Sequence, residues 1–185
     1  AVRATGSSQS GGQVQVLGER VGLVGDAVVD ASGASGGGTV LLGGDYQGAN
    51  PAVRNAQMTY LGAGASIKAD AVTEGNGGKV IVWADDVTRY YGTISARGGV
   101  RGGNGGFAEV SGKESLVFNG VADLRAPLGA TGSLLLDPKN IRITAGGASL
   151  ITDNLFGETP AANSDLSAAN VIAAMNGANL ILQSN

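Results

Sequence analysis

The sequence predicts an all-β fold, a parallel β-helix built from short stacked strands. Three observations predict it. A block of small residues followed by a short apolar run recurs along the chain. Its spacing is close to 26 residues. Glycine is abundant without a collagen period. The block reads Gly11-Gly12-Gln13-Val14-Gln15-Val16, then Gly37-Gly38-Thr39-Val40-Leu41-Leu42, Gly77-Gly78-Lys79-Val80-Ile81-Val82 and Gly105-Gly106-Phe107-Ala108-Glu109-Val110. A weaker copy is Thr131-Gly132-Ser133-Leu134-Leu135-Leu136. Its second glycine advances by 26, 40, 28 and 26 residues, the long step being one repeat plus an insertion. Self-similarity at this period marks a solenoid or array. A propeller blade needs about 40–45 residues and four strands, so the shorter spacing favours a β-helix.

Each repeat has a second half: Val28-Val29-Asp30-Ala31, Ile67-Lys68-Ala69-Asp70, Ile94-Ser95-Ala96-Arg97 and Val121-Ala122-Asp123-Leu124. Two or three strands of three to five residues fit in each repeat, alternating apolar and polar with sharp corners between. Val14/Val16, Val80/Val82, Leu116/Phe118 and Ile141/Ile143 are expected on the inner face. About six coils at ~4.8 Å each would give a rod on the order of 30 Å long. Asn76, Asn104 and Asn140 fall in turns, where asparagine tolerates left-handed backbone and stacks in ladders. Asp137-Pro138 reads as the corner that ends the Leu134–Leu136 strand.

Two segments interrupt the repeat. Residues 45–60, with Tyr46, Pro51 and Tyr60, read as a loop leaving one coil. Residues 152–178 read as an excursion carrying a short α-helix at about 165–176, capped by Ser164 or Asp165 and stopped by Gly177. Leu166, Ala169, Ile172 and Ala173 share a face and are expected to pack on the coils. The coils thus span residues 1–151, and residues 179–185 start a further one. An open coil leaves an unpaired sheet edge, so Leu180, Ile181 and Leu182 are the candidate assembly edge. The chain lacks an initiating Met and begins mid-pattern, and is read as a mature product or a piece of a longer protein.

Composition narrows the function. The 185 residues include 33 glycines, against an ordinary usage of about 7%. A hydrophobic content of 43% is too high for a disordered chain. Charged residues make up 15% and the net charge is −3, which argues against a nucleic-acid partner needing a basic stripe. No apolar run reaches the ~20 residues of a membrane span, so no membrane insertion is expected. With no Cys and no His, disulfides, thiolate metal sites, a Cys nucleophile and a Ser-His-Asp triad are all unavailable.

The candidate contact residues cluster after one strand. Trp83, the sole Trp, is followed by Asp85 and Asp86, with Tyr90 and Tyr91 near; Tyr46 and Tyr60 lie in the insertion. An aromatic beside carboxylates can stack a sugar ring and bond its hydroxyls. Equally, a large aromatic serves burial, and Trp83 then packs beneath the 45–60 loop. Asp85-Asp86 as a calcium seed would need six to eight oxygens, and surface solvation is the simpler reading. Glycoside cleavage needs two opposed acids. Asp70, Glu74, Asp85, Asp86, Glu109 and Glu114 are available, and spacing singles out no pair. Arg97 and Arg101 beside glycine turns could hold an anion, or Arg97 could pair with an acid on the next coil. Nothing calls for a cofactor or metal, and no catalytic residue is assigned.

The strings Gly43-Gly44-Asp45-Tyr46-Gln47-Gly48, Gly75-Asn76-Gly77-Gly78-Lys79-Val80-Ile81-Val82-Trp83, Ile94-Ser95-Ala96-Arg97-Gly98-Gly99, Gly103-Asn104-Gly105-Gly106-Phe107-Ala108-Glu109-Val110-Ser111-Gly112-Lys113 and Leu134-Leu135-Leu136-Asp137-Pro138-Lys139-Asn140-Ile141 occur in that order. They resemble the repeat region of filamentous-haemagglutinin-like exoproteins of bacterial two-partner secretion systems. The resemblance covers roughly residues 12–145. It implies a right-handed β-helix and export through an outer-membrane pore partner. It also implies a secreted or cell-surface location, and adhesion, aggregation or biofilm through a host or bacterial receptor or glycan. It implies no catalytic site. The Asn-Pro-Asn-type motif of the family's secretion domain is absent, since Asn50-Pro51 is followed by Ala52. The chain is therefore expected to be shaft material. End-to-end self-association into a filament and polysaccharide binding or cleavage are the alternatives.

Overall fold

A computed structural model describes residues 1–145 and 163–184. The chain lays down strands in a fixed rotation over three faces. The first round is β1 (Val2–Arg3), β2 (Gln13–Val16) and β3 (Arg20–Leu23). Next come β4 (Val28–Asp30), β5 (Thr39–Leu42) and β6 (Met58–Leu61). Two further rounds are β7 (Ser66–Lys68), β8 (Lys79–Ala84), β9 (Val87–Tyr90), then β10 (Thr93–Ser95), β11 (Phe107–Gly112), β12 (Ser115–Phe118). The last elements are β13 (Val121–Asp123), β14 (Ser133–Leu136), β15 (Ile141–Thr144), β16 (Ser164–Ser167), helix α1 (Ala168–Gly177) and β17 (Asn179–Leu182).

Among the described residues these strands form three parallel sheets and a two-stranded parallel pair. Sheet A runs β1-β4-β7-β10-β13, sheet B runs β2-β5-β8-β11-β14-β17, and sheet C runs β3-β6-β9-β12. The pair is β15-β16. Each strand of sheets A, B and C pairs with its counterpart one round away, so equivalent repeat positions stack directly, whereas β15 pairs with β16, the next described strand in the chain. In sheet B this makes the inner column Val14-Val40-Val80-Ala108-Leu134-Leu180. Sheet A contributes Val29-Ile67-Ile94-Ala122, and sheet C contributes Leu23-Leu61-Tyr90-Phe118. These columns form one continuous core. The predicted all-β architecture of stacked short parallel strands is the one observed.

The corners explain the glycine pairs. A Cβ on Gly78 would lie 2.0 Å from the carbonyl oxygen of Gly38 in the preceding round. No side chain fits between backbones stacked this closely. On the same corner, Asn76 Oδ1 accepts the Asn104 N–H at 2.7 Å, and Asn104 Oδ1 accepts the Ala130 N–H at 2.9 Å. The expected asparagine ladder is therefore present for Asn76 and Asn104. Two buried threonines tie sheet C to sheet B. Thr59 Oγ1 donates to the Trp83 carbonyl at 2.6 Å, and Thr88 Oγ1 to the Ser111 carbonyl at 2.7 Å.

The C-terminal part departs from the expectation in three ways. The segment expected as the start of a helix is strand β16, and α1 starts later, capped by Ser167 through the Asn170 N–H at 3.1 Å. The Ser167 hydroxyl accepts the N–H of the third helical residue, a capping bond that Ser164 and Asp165 cannot make from a strand. The later start turns the buried face. Ala174 and Gly177 face the core with Val171 packed beside them, while Ala169, Ile172 and Ala173 are exposed and Leu166 enters the core from β16. Gly177 is the last helical residue and Ala178 caps the helix. Ile143 is 53% exposed instead of facing inward. Its strand lies outside β16, whose Ser164 hydroxyl accepts the Leu116 N–H at 2.8 Å and whose backbone N–H reaches the Asn140 carbonyl at 3.0 Å. β16 thus takes the core position that the alternation of β15 predicts for Ile143. The start of the excursion, from residue 152, lies outside the described residues. β17 closes back onto β14, placing Leu180–Leu182 at the outer edge of sheet B.

Candidate functional site

The outer face of sheet B carries the most elaborated side-chain cluster. Its outer column is Gln15-Leu41-Ile81-Glu109-Leu135-Ile181. In the middle rounds this face is covered. The insertion after β5 contains a tight turn, Tyr46–Gly48, and returns to the sheets at β6, so residues 58–60 of the predicted 45–60 loop are strand. Leu41, Ile81 and Trp83 form a second apolar cluster with Val53 from the loop and Phe107 from β11. Trp83 is only 4% exposed. A Cβ on Gly48, whose φ is +60°, would fall 2.6 Å from the indole, so only glycine lets the loop lie this close. Burial beneath the loop, the simpler of the two readings of Trp83, describes its placement.

Polar side chains fasten the loop. Asp45 caps the turn through the Tyr46 N–H at 2.7 Å, pairs with Lys79 Nζ at 2.7 Å and accepts Asn50 Nδ2 at 2.9 Å. Burial alone would raise its carboxyl. The bonds from Asn50 and Lys79 outweigh that and hold it at about 2. Asn55 Nδ2 reaches both the Gly48 carbonyl and Asp85 Oδ1 at 3.0 Å. Asp85 Oδ1 also accepts the Trp83 indole N–H at 3.1 Å. Tyr46 packs on Phe107 with ring centroids 5.9 Å apart.

The key residue is Gln47, the only described non-glycine residue with a left-handed backbone, at φ 52°. Its N–H bonds the Glu109 carboxylate at 3.0 and 3.3 Å, and its Nε2 bonds Asp137 Oδ2 at 2.8 Å. One turn residue thus bridges two acids on successive coils. Glu109 is fully buried and Asp137 is 3% exposed. Burial drives the Glu109 carboxyl up to about 7. The Gln47 and Ser111 hydrogen bonds oppose this, the Asp137 charge adds to it, and Lys79 opposes it. Asp137 is further fixed by its own N–H to Ser111 Oγ at 3.1 Å.

Beside this clasp opens a pocket of about 320 Å³, lined by Gln47, Trp83, Asp85, Lys113, Glu114, Asp137 and Lys139. Lys139 and Glu114 pair across its rim at 3.0 Å. Of the sequence-predicted contact residues, only Trp83 and Asp85 line it. Asp86 sits in the β8–β9 turn outside it. Tyr90 is a core residue, fully buried and stacked on Phe118 at 5.1 Å, its hydroxyl donating to the Val121 carbonyl. Burial pushes that phenol far above its usual range. Tyr60 and Tyr91 pair with each other at 5.8 Å, and Tyr46 leans on Phe107 while 43% of it stays exposed. Tyr90 is spent on packing, because its register places it on the ring of Phe118.

Sequence reasoning gives Gln47, Lys113 and Lys139 no role at the site, and it reads Asp137 only as a corner before Pro138. The available signal was Glu109, a charge placed in a column that is otherwise apolar over the covered rounds. Arg97 pairs with Asp123 on the next coil at 3.6 Å, as one of its two readings expected. Among the described residues no group of three or more acids is placed to hold a metal ion, and no helix is long and apolar enough to cross a membrane. No family model matches the chain, and no curated protein matches it.

Proposed function

We propose that this chain is shaft material of a large secreted bacterial surface exoprotein, similar to the filamentous-haemagglutinin repeat region. In this reading the sheets wind as a right-handed parallel β-helix, exported through an outer-membrane pore partner. The shaft serves adhesion, aggregation or biofilm by holding binding surfaces away from the cell, where repeated weak contacts combine. One observation carries the reading: from β1 to β12 the strands rotate over three faces in constant register, so the strands of each of these coils repeat those of the last. Such a stack is quasi-one-dimensional, its stability summed coil by coil, and its working property is stiffness. Helix α1 favours this over the filament-subunit alternative. It packs on β13, with the Leu124 N–H bonding the Gly177 carbonyl at 2.7 Å, and covers the end of sheet A, which leaves that alternative the Leu180–Leu182 edge of sheet B alone. The polysaccharide alternative rests on the lateral pocket, where Trp83, Asp85 and Asp137 meet.

Electron microscopy with a concentration series by light scattering tests the reading. Discrete short rods of constant mass are expected for a shaft segment. Ordered filaments growing with concentration would replace it with the subunit reading.

A further inference from the structure

We propose that Gln47 and the buried Glu109–Asp137 carboxyl pair form a pH-operated latch, which holds the 45–57 loop closed over Trp83 in acid and loosens it toward neutral pH. The geometry is a clasp with one moving part and two fixed anchors. The anchors belong to sheet B: Glu109 lies in mid-strand on β11, and Asp137 directly follows β14. The moving part is the Tyr46–Gly48 turn, which reaches both anchors through a single residue in a left-handed conformation. Such a conformation persists in a non-glycine residue only when its surroundings hold it. Here the two acids do so.

The charges facing Glu109 come from each packed element. β8 supplies Lys79 and the segment after β14 supplies Asp137, while Asp45 of the loop acts through its ion pair with Lys79. Lys79 is shared with the ionised Asp45, so its charge offsets Glu109 only in part. Asp85 stands beyond Trp83 and is occupied by the indole and Asn55. With Glu109 protonated, its carbonyl oxygen still accepts the Gln47 N–H, and no second negative charge is buried beside Asp137. Once ionised, Glu109 is a buried anion next to Asp137, and lifting the loop lets water reach it.

The sign follows from linkage. An acid whose value is about 7 in the closed state, against 4.5 when solvated, favours closure most at low pH. The closure constant falls as pH rises from about 4.5 to about 7 and is level above that. The total fall is at most roughly 300-fold, the limit for a carboxyl that regains full solvation when the loop lifts, a factor of ten for each pH unit of the shift.

Trp83, the sole tryptophan, lies directly under the latch and reports on it. The test is acrylamide quenching and emission wavelength of the intact chain from pH 5 to 8.5, with far-UV circular dichroism recorded alongside. A quenching constant rising at least twofold with pH, at constant circular dichroism, is the expected result. Glu109→Gln should stay poorly quenched throughout. Asp137→Asn, which keeps an acceptor for Gln47 but removes the like charge, should show a smaller rise. Quenching that is flat in the unmodified chain would overturn the latch even if no variant folds. So would a rise that persists in Glu109→Gln, or one that tracks loss of β signal.

Discussion

The two faces of sheet B share the same strands and follow different rules. The inner column Val14-Val40-Val80-Ala108-Leu134-Leu180 is apolar in every round, because each residue meets only its stacked neighbours and the core. The outer column starts and ends near solvent, at Gln15 and Ile181, and is buried between them. There a loop from one round covers strands of the next two. The inner face is a repeated solution, and the outer face is a single construction made once.

Substitutions separate the two rules. Val82→Asp places an unpaired charge on the inner face, where Val82 is fully buried. It should cost about 4 kcal/mol or more and abolish the cooperative melt. A soluble variant with unchanged melting would break the assignment of the inner face. Trp83→Ala removes the centre of the outer cluster and should cost about 3 kcal/mol, read by denaturant unfolding, while the sheets remain. If it instead unfolds the chain completely, the two faces are one cooperative unit.

Glu109→Gln sharpens the comparison because its effect depends on pH. The raised carboxyl means that the folded state binds the extra proton, so stability is greatest below about 4.5 and is lost as pH rises to about 7. The substitution should therefore stabilise the protein by up to about 3 kcal/mol at pH 8 and by less than about 1 kcal/mol at pH 5. A thermal melt of both proteins at the two pH values reads this directly. Asn104→Ala removes one rung of the corner ladder and should cost about 1 kcal/mol. The smallest effect is expected at the rim: Lys139→Ala breaks an exposed pair with Glu114 and should leave the melting temperature almost unmoved.

The division also explains what the sequence makes legible. The glycine pairs at Gly38, Gly78 and Gly106 and the alternation in β8 and β11 repeat, so pattern reading finds them. Gln47 belongs to no repeat, and its partners lie 62 and 90 residues away. No local signal connects it to Glu109 and Asp137. Tyr90 is a contact candidate in the sequence only through its nearness to Trp83, Asp85 and Asp86, and its register with Leu61 and Phe118 makes it core. At the C-terminus, Ser164–Ser167 carries the composition of a helix start, and pairing with β15 overrides it.

The most direct test of the central claim, a stack in constant parallel register, uses the absence of cysteine. Thr93 and Val121 are exposed partners on adjacent rounds, whereas Ser66 and Val121 are two rounds apart. Paired strands lie about 4.8 Å apart, within disulfide reach, and alternate strands about twice that. The double variant Thr93→Cys with Val121→Cys should cross-link rapidly within one chain under mild oxidation. Ser66→Cys with Val121→Cys should not. Cross-linking of the second pair in preference to the first, or of neither under conditions that retain the fold, would contradict the register and the stack built on it.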